Sequence, residues 1–240
     1  MAPIGFSTGA VAKADFRRAL VALIAADIKA VELSALRVAE LQPLIDALDE
    51  LDLSHFDYIS VHAPSSFSET EEAGIAGALM NFANRGWPII VHPNVIRQPG
   101  VWAGLGRHLL IENMDRRKPL GRTAAELEML MAELPEAGLC LDLGHARQVD
   151  PTMTETTLML DRFGDRVRQL HLSEVNERSH HDPISASSID AFRLVVDLLP
   201  PDVPVILESL IDEGQSDILT EVQKAEAALQ PEVSRAVSIG

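Results

Sequence analysis

A single-domain α/β chain folded as a closed (β/α)8 barrel is the architecture this sequence predicts, and three observations predict it. Short apolar, often β-branched runs recur eight times along the 240 residues. Most are separated by segments with apolar residues at helical spacing, the alternation of a parallel sheet covered by helices. The runs also read as continuously apolar, which burial on both faces demands. A barrel of eight such units typically takes about 250 residues, close to this length.

In order, the runs are IGFST from Ile4, AVELS from Ala30, YISVHAP from Tyr58, PIIVHPN from Pro88 and HLLIENM from His108. They continue with LCLDLGH from Leu139, VRQLHLSE from Val167 and PVILES from Pro204. The first two intervals carry Phe16, Leu20, Leu23 and Ile24, then Leu41, Leu44, Ile45 and Leu48, each set on one helical face. The fourth interval, PNVIRQPGVWAGLGR, is short and rich in Pro and Gly, so its helix is expected to shrink to a turn or loop. Trp102 in that loop is either a wall of a pocket or a plug of the barrel rim. An open doubly wound sheet fits less well, because FSTGAVA after the first run has one Gly where a dinucleotide fingerprint needs three. No interval reads as a linker, so one domain is expected over residues 1–240. The final PEVSRAVSIG reads as a loosely held tail.

Composition narrows the function. Hydrophobic residues make up 47% of the chain, ample for a sizeable core. No apolar stretch reaches the roughly 18 to 20 residues of a membrane span, and the N-terminus lacks a signal-peptide pattern, so no membrane partner and a cytoplasmic location are expected. The single cysteine, Cys140, excludes an intramolecular disulfide and reads as a small buried hydrophobe. The net charge of −16 rules out a general basic surface for nucleic acid, though not a local basic groove.

Polar residues collect at the ends of the runs. Glu32 ends the second, His62 the third, His92 the fourth, Glu112 the fifth, Asp142 the sixth with His145 just beyond, His171 the seventh and Glu208 the eighth. In a barrel these fall on the C-terminal face, where the active sites of this fold lie. His180 and His181 follow in the next loop. So many carboxylates and imidazoles in one funnel repel or stay protonated without a divalent cation, and their mixed N and O ligands suit zinc, manganese or iron. Glu32 is read as orienting a ligating histidine or joining a barrel ion pair.

With HAP at His62, HP at His92, IEN at Glu112, LDLGH at Asp142 and His145, LHLSE at His171 and ILES at Glu208, the whole chain resembles the xylose isomerase-like barrel superfamily. That group also includes the endonuclease IV type of abasic-site endonuclease. In its isomerase and epimerase branch, the resemblance implies one divalent metal on Glu112, Asp142, His171 and Glu208, with Glu112 and Glu208 moving protons beside a metal-polarised carbonyl. HLSEVNERSHHDP is similar to that branch's segment after the histidine, which makes Glu174 and Arg178 candidate contacts to sugar hydroxyls or phosphate. In the endonuclease branch, His62, His92, His145 and His181 extend the set to as many as three zinc ions. The third-metal aspartate of that pattern is here Ser179, and the Gly-rich turn after it reads ISAS.

The expected activity is therefore a metal-dependent sugar isomerase or epimerase acting on a small sugar or sugar phosphate. It would hold one to three divalent ions per chain (zinc, manganese, iron, cobalt or magnesium). The alternatives are a multinuclear zinc phosphoesterase and a barrel that keeps metal without catalysis. Arg147 joins Arg37, Arg97, Arg116, Arg117 and Arg178 as loop arginines open to substrate. Family members often pair through barrel ends or helices, so a homo-oligomer stays open.

Overall fold

Every predicted run forms a strand of one closed parallel barrel in the computed structural model, which describes residues 2–211 and 217–230. The first strands are β1 (Ile4–Ser7), β2 (Ala30–Ser34), β3 (Tyr58–His62), β4 (Ile89–Val91), β5 (Leu109–Glu112), β6 (Gly138–Asp142) and β7 (Val167–Leu172). A two-stranded hairpin of β8 (Glu174–Val175) and β9 (His181–Asp182) interrupts the series before β10 (Val205–Leu207). The barrel runs β1, β10, β7, β6, β5, β4, β3, β2 and closes on β1, with all eight pairings parallel. The tail from Pro231 onward lies outside the described residues.

The helices are α1 (Thr8–Ala12), α2 (Phe16–Ala25), α3 (Val38–Ala47), α4 (Glu72–Ala83), α5 (Pro99–Trp102), α6 (Ala124–Glu133), α7 (Leu143–Val149), α8 (Thr154–Phe163), α9 (Ala186–Arg193) and α10 (Ile218–Ala228). The fourth unit has the reduced helix expected of it, a single turn in α5 between 3-10 turns at Pro93–Val95 and Ala103–His108. Pro93 and Pro99 each start a turn and supply no backbone N–H to continue a longer helix. None of the helices among the described residues is long and apolar enough to cross a membrane.

The strands carry apolar residues on both faces, as the continuously apolar runs predict, and IIV of β4, LLIE of β5, GLCLD of β6 and VIL of β10 are buried throughout. Outward residues such as Val61, Ile89, Val91, Leu109, Ile111, Leu139, Leu141, Leu170, Leu172, Val205 and Leu207 join the core between sheet and helices. Ile90, Leu110 and Cys140 form a separate buried cluster, and the buried polar residues Glu32, Ser60 and Gln169 hydrogen-bond into one network, Gln169 joining Glu32 at 2.7 Å and Ser60 joining it at 3.2 Å. Two residues further along come His92, Glu112, Asp142, His62 and His171, because side chains repeat every second residue on a strand. Barrel filling and candidate ligands thus share one inward stripe.

Candidate metal centre

The inward stripe ends in ligand-type side chains. His62, Glu112 and Asp142 are the last residues of β3, β5 and β6, His92 and Glu208 directly follow β4 and β10, and His171 is the penultimate residue of β7. His145 and His181 join from outside the barrel strands. α7 starts at once after β6, and Asp142 caps it by accepting from His145 N–H at 2.6 Å, which brings His145 back over the funnel. The start of α7 packs so closely on the end of β7 that a Cβ on Gly144 would meet the Ser173 carbonyl at 2.5 Å. His181 is carried by β9, where its Nδ1 lies 2.9 Å from Ser173 Oγ.

Three groups of side chains have ligand atoms within 4.8 Å of one another: His62, His92 and Glu112; Glu112, Asp142, His171 and Glu208; and Asp142, His145 and His181. All eight candidate ligands proposed from the sequence fall in these groups. Glu112 joins the first two and divides its oxygens between them. Its Oε2 faces His92 Nε2 at 3.1 Å and His62 Nε2 at 3.3 Å, and its Oε1 faces His171 Nδ1 at 3.1 Å. Asp142 joins the second group to the third.

Neighbouring groups fix which histidine nitrogen faces inward. His62 Nδ1–H donates to the Ala63 carbonyl at 2.8 Å, leaving Nε2 toward Glu112. His171 is turned the other way: Nε2–H donates to Glu32 Oε2 at 3.0 Å, leaving Nδ1 toward Glu112. Glu32 also accepts from Gln169, whose Oε1 accepts from the Tyr58 hydroxyl at 2.6 Å. Asn113 pins β6 to β5 by accepting from Asp142 N–H at 2.7 Å and donating to its carbonyl at 2.8 Å.

The electrostatics of the cluster bear on whether it could hold a cation. Burial pushes Glu208 up to about 8 and raises Asp142. It also drives His181 down to about 3 and His92 down to about 4. For His62 burial is outweighed by its hydrogen bond and charge contact with Glu112, which lift it to about 9. His92 meets the same oxygen, but there burial, helped by the nearby His62 and Lys118 charges, outweighs Glu112 and the shift goes the opposite way. Burial would raise Glu112 too, yet His171 and the other imidazoles hold it well below the usual carboxylate range. Asp142 Oδ2 and Glu208 Oε2 are buried with no hydrogen-bond partner. Each of these oxygens instead faces a histidine nitrogen at 3.3 Å, Asp142 Oδ2 that of His145 and Glu208 Oε2 that of His181, and such converging carboxylate oxygens and imidazole nitrogens are the donor set a divalent cation takes, so the residues fit a metal.

Above these residues a cavity of about 560 Å³ opens, lined by His62, His92, Glu112, His145, His181 and Glu208 and, at its mouth, by Asp115, Arg117, Lys118 and His180. Other sequence candidates lie elsewhere. Trp102 is fully buried, stacks on Phe67 and donates Nε1–H to Glu72 of α4 at 2.8 Å, so it packs against α4 and does not line this cavity. Glu174 and Arg147 are bound to each other and to Ser188 of α9, outside the cavity lining. Arg178 is exposed, also outside that lining, and its carbonyl accepts from Arg117. Ser179, at the position of the missing third-metal aspartate, donates its hydroxyl to Asp115 at 2.6 Å. Asn113, Asp115, Lys118 and Gln169 were not singled out from the sequence. Asp115 and Lys118 sit in MDRRKP just past β5, and a count of charged residues in loops after the strands would have found them.

No family model matches the chain, and no curated protein does. Its fold does match solved structures. Endonuclease IV from Thermus thermophilus superposes with a TM-score of 0.60 at 22% identity, over 94% of this chain and 97% of that one. A xylose isomerase domain protein from Alicyclobacillus acidocaldarius gives 0.62 at 13% identity, over 95% of each chain. A xylose isomerase-like TIM barrel protein from Mycobacterium smegmatis, solved in complex with magnesium, gives 0.60 at 12%, over 96% and 98%. The chain therefore has the fold shared by the xylose isomerase-like barrels and endonuclease IV.

Proposed function

We propose that this protein is a multinuclear metalloenzyme that hydrolyses a phosphate ester of a small molecule. The observation that carries this reading is Glu112, whose two oxygens serve two ligand groups at once. A carboxylate shared in this way suits a dinuclear centre, whereas one ion on Glu112, Asp142, His171 and Glu208 leaves His62 and His92 without a task. Zinc, manganese or iron bound there would activate water and neutralise charge on a phosphoryl group. The chain's own part is to hold the imidazoles in fixed orientations through Ala63, Glu32 and Ser173, and to shield the buried carboxylates from bulk water. A cavity of about 560 Å³ in a chain of net charge −16 favours a small substrate over duplex DNA.

A second reading, proton transfer of the sugar isomerase or epimerase type, is favoured by a separate observation. Glu112 is held low while Glu208 is raised to about 8, a base and an acid in one site. Elemental analysis of the purified protein, paired with turnover of phosphate mono- and diesters, decides between the two. Two or more ions per chain and ester turnover lost in Glu112→Gln, with the fold retained, are expected. One ion per chain and no ester turnover would move the assignment to proton transfer. Metal-dependent nicking of an abasic duplex at low salt would keep the chemistry and change the substrate to DNA.

A further inference from the structure

The cavity mouth carries two cations that the metal centre does not use. Arg117 and Lys118 follow β5 and line the cavity, in a chain with 36 acidic and 20 basic residues. Among the described residues neither makes a close ion pair with a carboxylate: Arg117 donates to the Arg178 carbonyl, and Lys118 Nζ lies 3.5 Å from His92 Nδ1 and feels the Asp115 charge only at longer range. Asp115, the nearest acid in the same loop, already accepts from Arg117 N–H at 2.8 Å and from Ser179.

The contact between Lys118 and His92 is informative. His92 turns Nε2 toward Glu112, so a metal bound in the His62, His92 and Glu112 group takes Nε2. A ligating imidazole is neutral and keeps its proton on the other nitrogen. Without metal Lys118 can donate to His92 Nδ1; with Nε2 taken by a metal, His92 Nδ1–H and the Lys118 ammonium, 3.5 Å apart, would both be donors. An anionic oxygen supplied by a bound molecule satisfies both.

We infer that Arg117 and Lys118, together with His92 Nδ1–H, form a subsite for an anionic group of the substrate, a phosphate or a carboxylate. The inference rests on the reading of the cavity as a metal centre, and it moves anion recognition from the segment of Glu174 and Arg178 to the loop after β5. It makes Arg117 and Lys118 specificity residues, since a substrate lacking the negative charge leaves the two donors unsatisfied.

Calorimetric titration of the metal-loaded protein with inorganic phosphate, and separately with acetate, tests it. Arg117→Gln and Lys118→Gln are each expected to weaken binding of at least one anion by about tenfold at unchanged metal content. Arg117→Lys and Lys118→Arg should restore most of it. Loss confined to phosphate assigns a phosphoryl group, and loss confined to acetate assigns a carboxylate. Wild-type protein that binds neither anion, glutamine variants that bind both as well as wild type does, or weakened binding accompanied by loss of metal would each overturn the subsite. A protein that carries no metal fails the parent reading before any anion is added, so the two failures are told apart.

Discussion

His171 shows how a single residue here is set by what stands behind it. Its Nδ1 faces Glu112 only because Nε2–H is held by Glu32, a carboxylate buried completely at the barrel centre. A carboxylate behind a ligating imidazole fixes its tautomer and strengthens it as a ligand. Glu32→Gln is expected to lower metal affinity by about 10- to 100-fold, measured by competition with a chromophoric chelator. An affinity equal to that of the wild type would remove Glu32 from the centre. The sequence offered Glu32 either as an orienter or as an ion-pair member; the partner that decides this, His171, lies 139 positions away in sequence.

At the scale of elements, the loop that replaces the fourth helix is held by one side chain of α4. Glu72 Oε1 accepts from Arg97 N–H at 2.8 Å, Gln98 N–H at 3.0 Å and Trp102 Nε1–H at 2.8 Å, in a place fully shielded from solvent. Removing the shared acceptor leaves the buried Trp102 indole N–H unmet, at about 1 to 3 kcal/mol, while the backbone N–H groups of the exposed Arg97 and Gln98 can turn to water. Glu72→Ala should therefore lower unfolding stability by about 1 to 3 kcal/mol in urea titration, and Glu72→Gln, which keeps an acceptor oxygen, by clearly less. Equal losses in the two variants would contradict the acceptor role. Because the same loop begins at His92, a fall in metal content should accompany the alanine variant. The Pro and Gly content of this loop made the missing helix legible in sequence. The buried position of Trp102 was not, because it depends on a glutamate from the preceding helix.

For the whole molecule, the metal-free protein should have a pH dependence set by the barrel mouth. Glu208 is raised from an ordinary 4.5 to about 8 and His62 from 6.5 to about 9. Both bind protons more tightly folded than unfolded, so the stability they contribute is present at low pH and is lost as pH rises through these values. His92 and His181, lowered from 6.5 to about 4 and about 3, act oppositely: their contribution is present above 6.5 and is lost as pH falls through their lowered values. The chelator-treated protein should therefore lose thermal stability on going from pH 6.5 up to pH 9, and the histidines should take stability away as pH falls from 6.5 toward about 4 to 3, in a scan of melting temperature. Metal takes the place of the protons on these groups, so the alkaline loss should shrink in the loaded protein. A melting temperature flat or rising from pH 6.5 to 9 without metal would contradict these shifts.

The sequence by itself determined the barrel and the identity of the candidate ligands. Periodic apolar runs specify strands, and polar residues at their ends must share one face once the strands are parallel, so His62, His92, Glu112, Asp142, His171 and Glu208 were legible as one set. Only the tertiary structure decided how that set divides, with Glu112 shared between two groups and Asp142 between two. It also decided which charged loop residues line the cavity, leaving out Glu174, Arg147 and Arg178 and bringing in Arg117 and Lys118. The physical reason is that strand periodicity is local and fixes which way a side chain points. Which nitrogen of a histidine faces a carboxylate, and which loop folds over the mouth, depend on contacts between residues far apart in the chain.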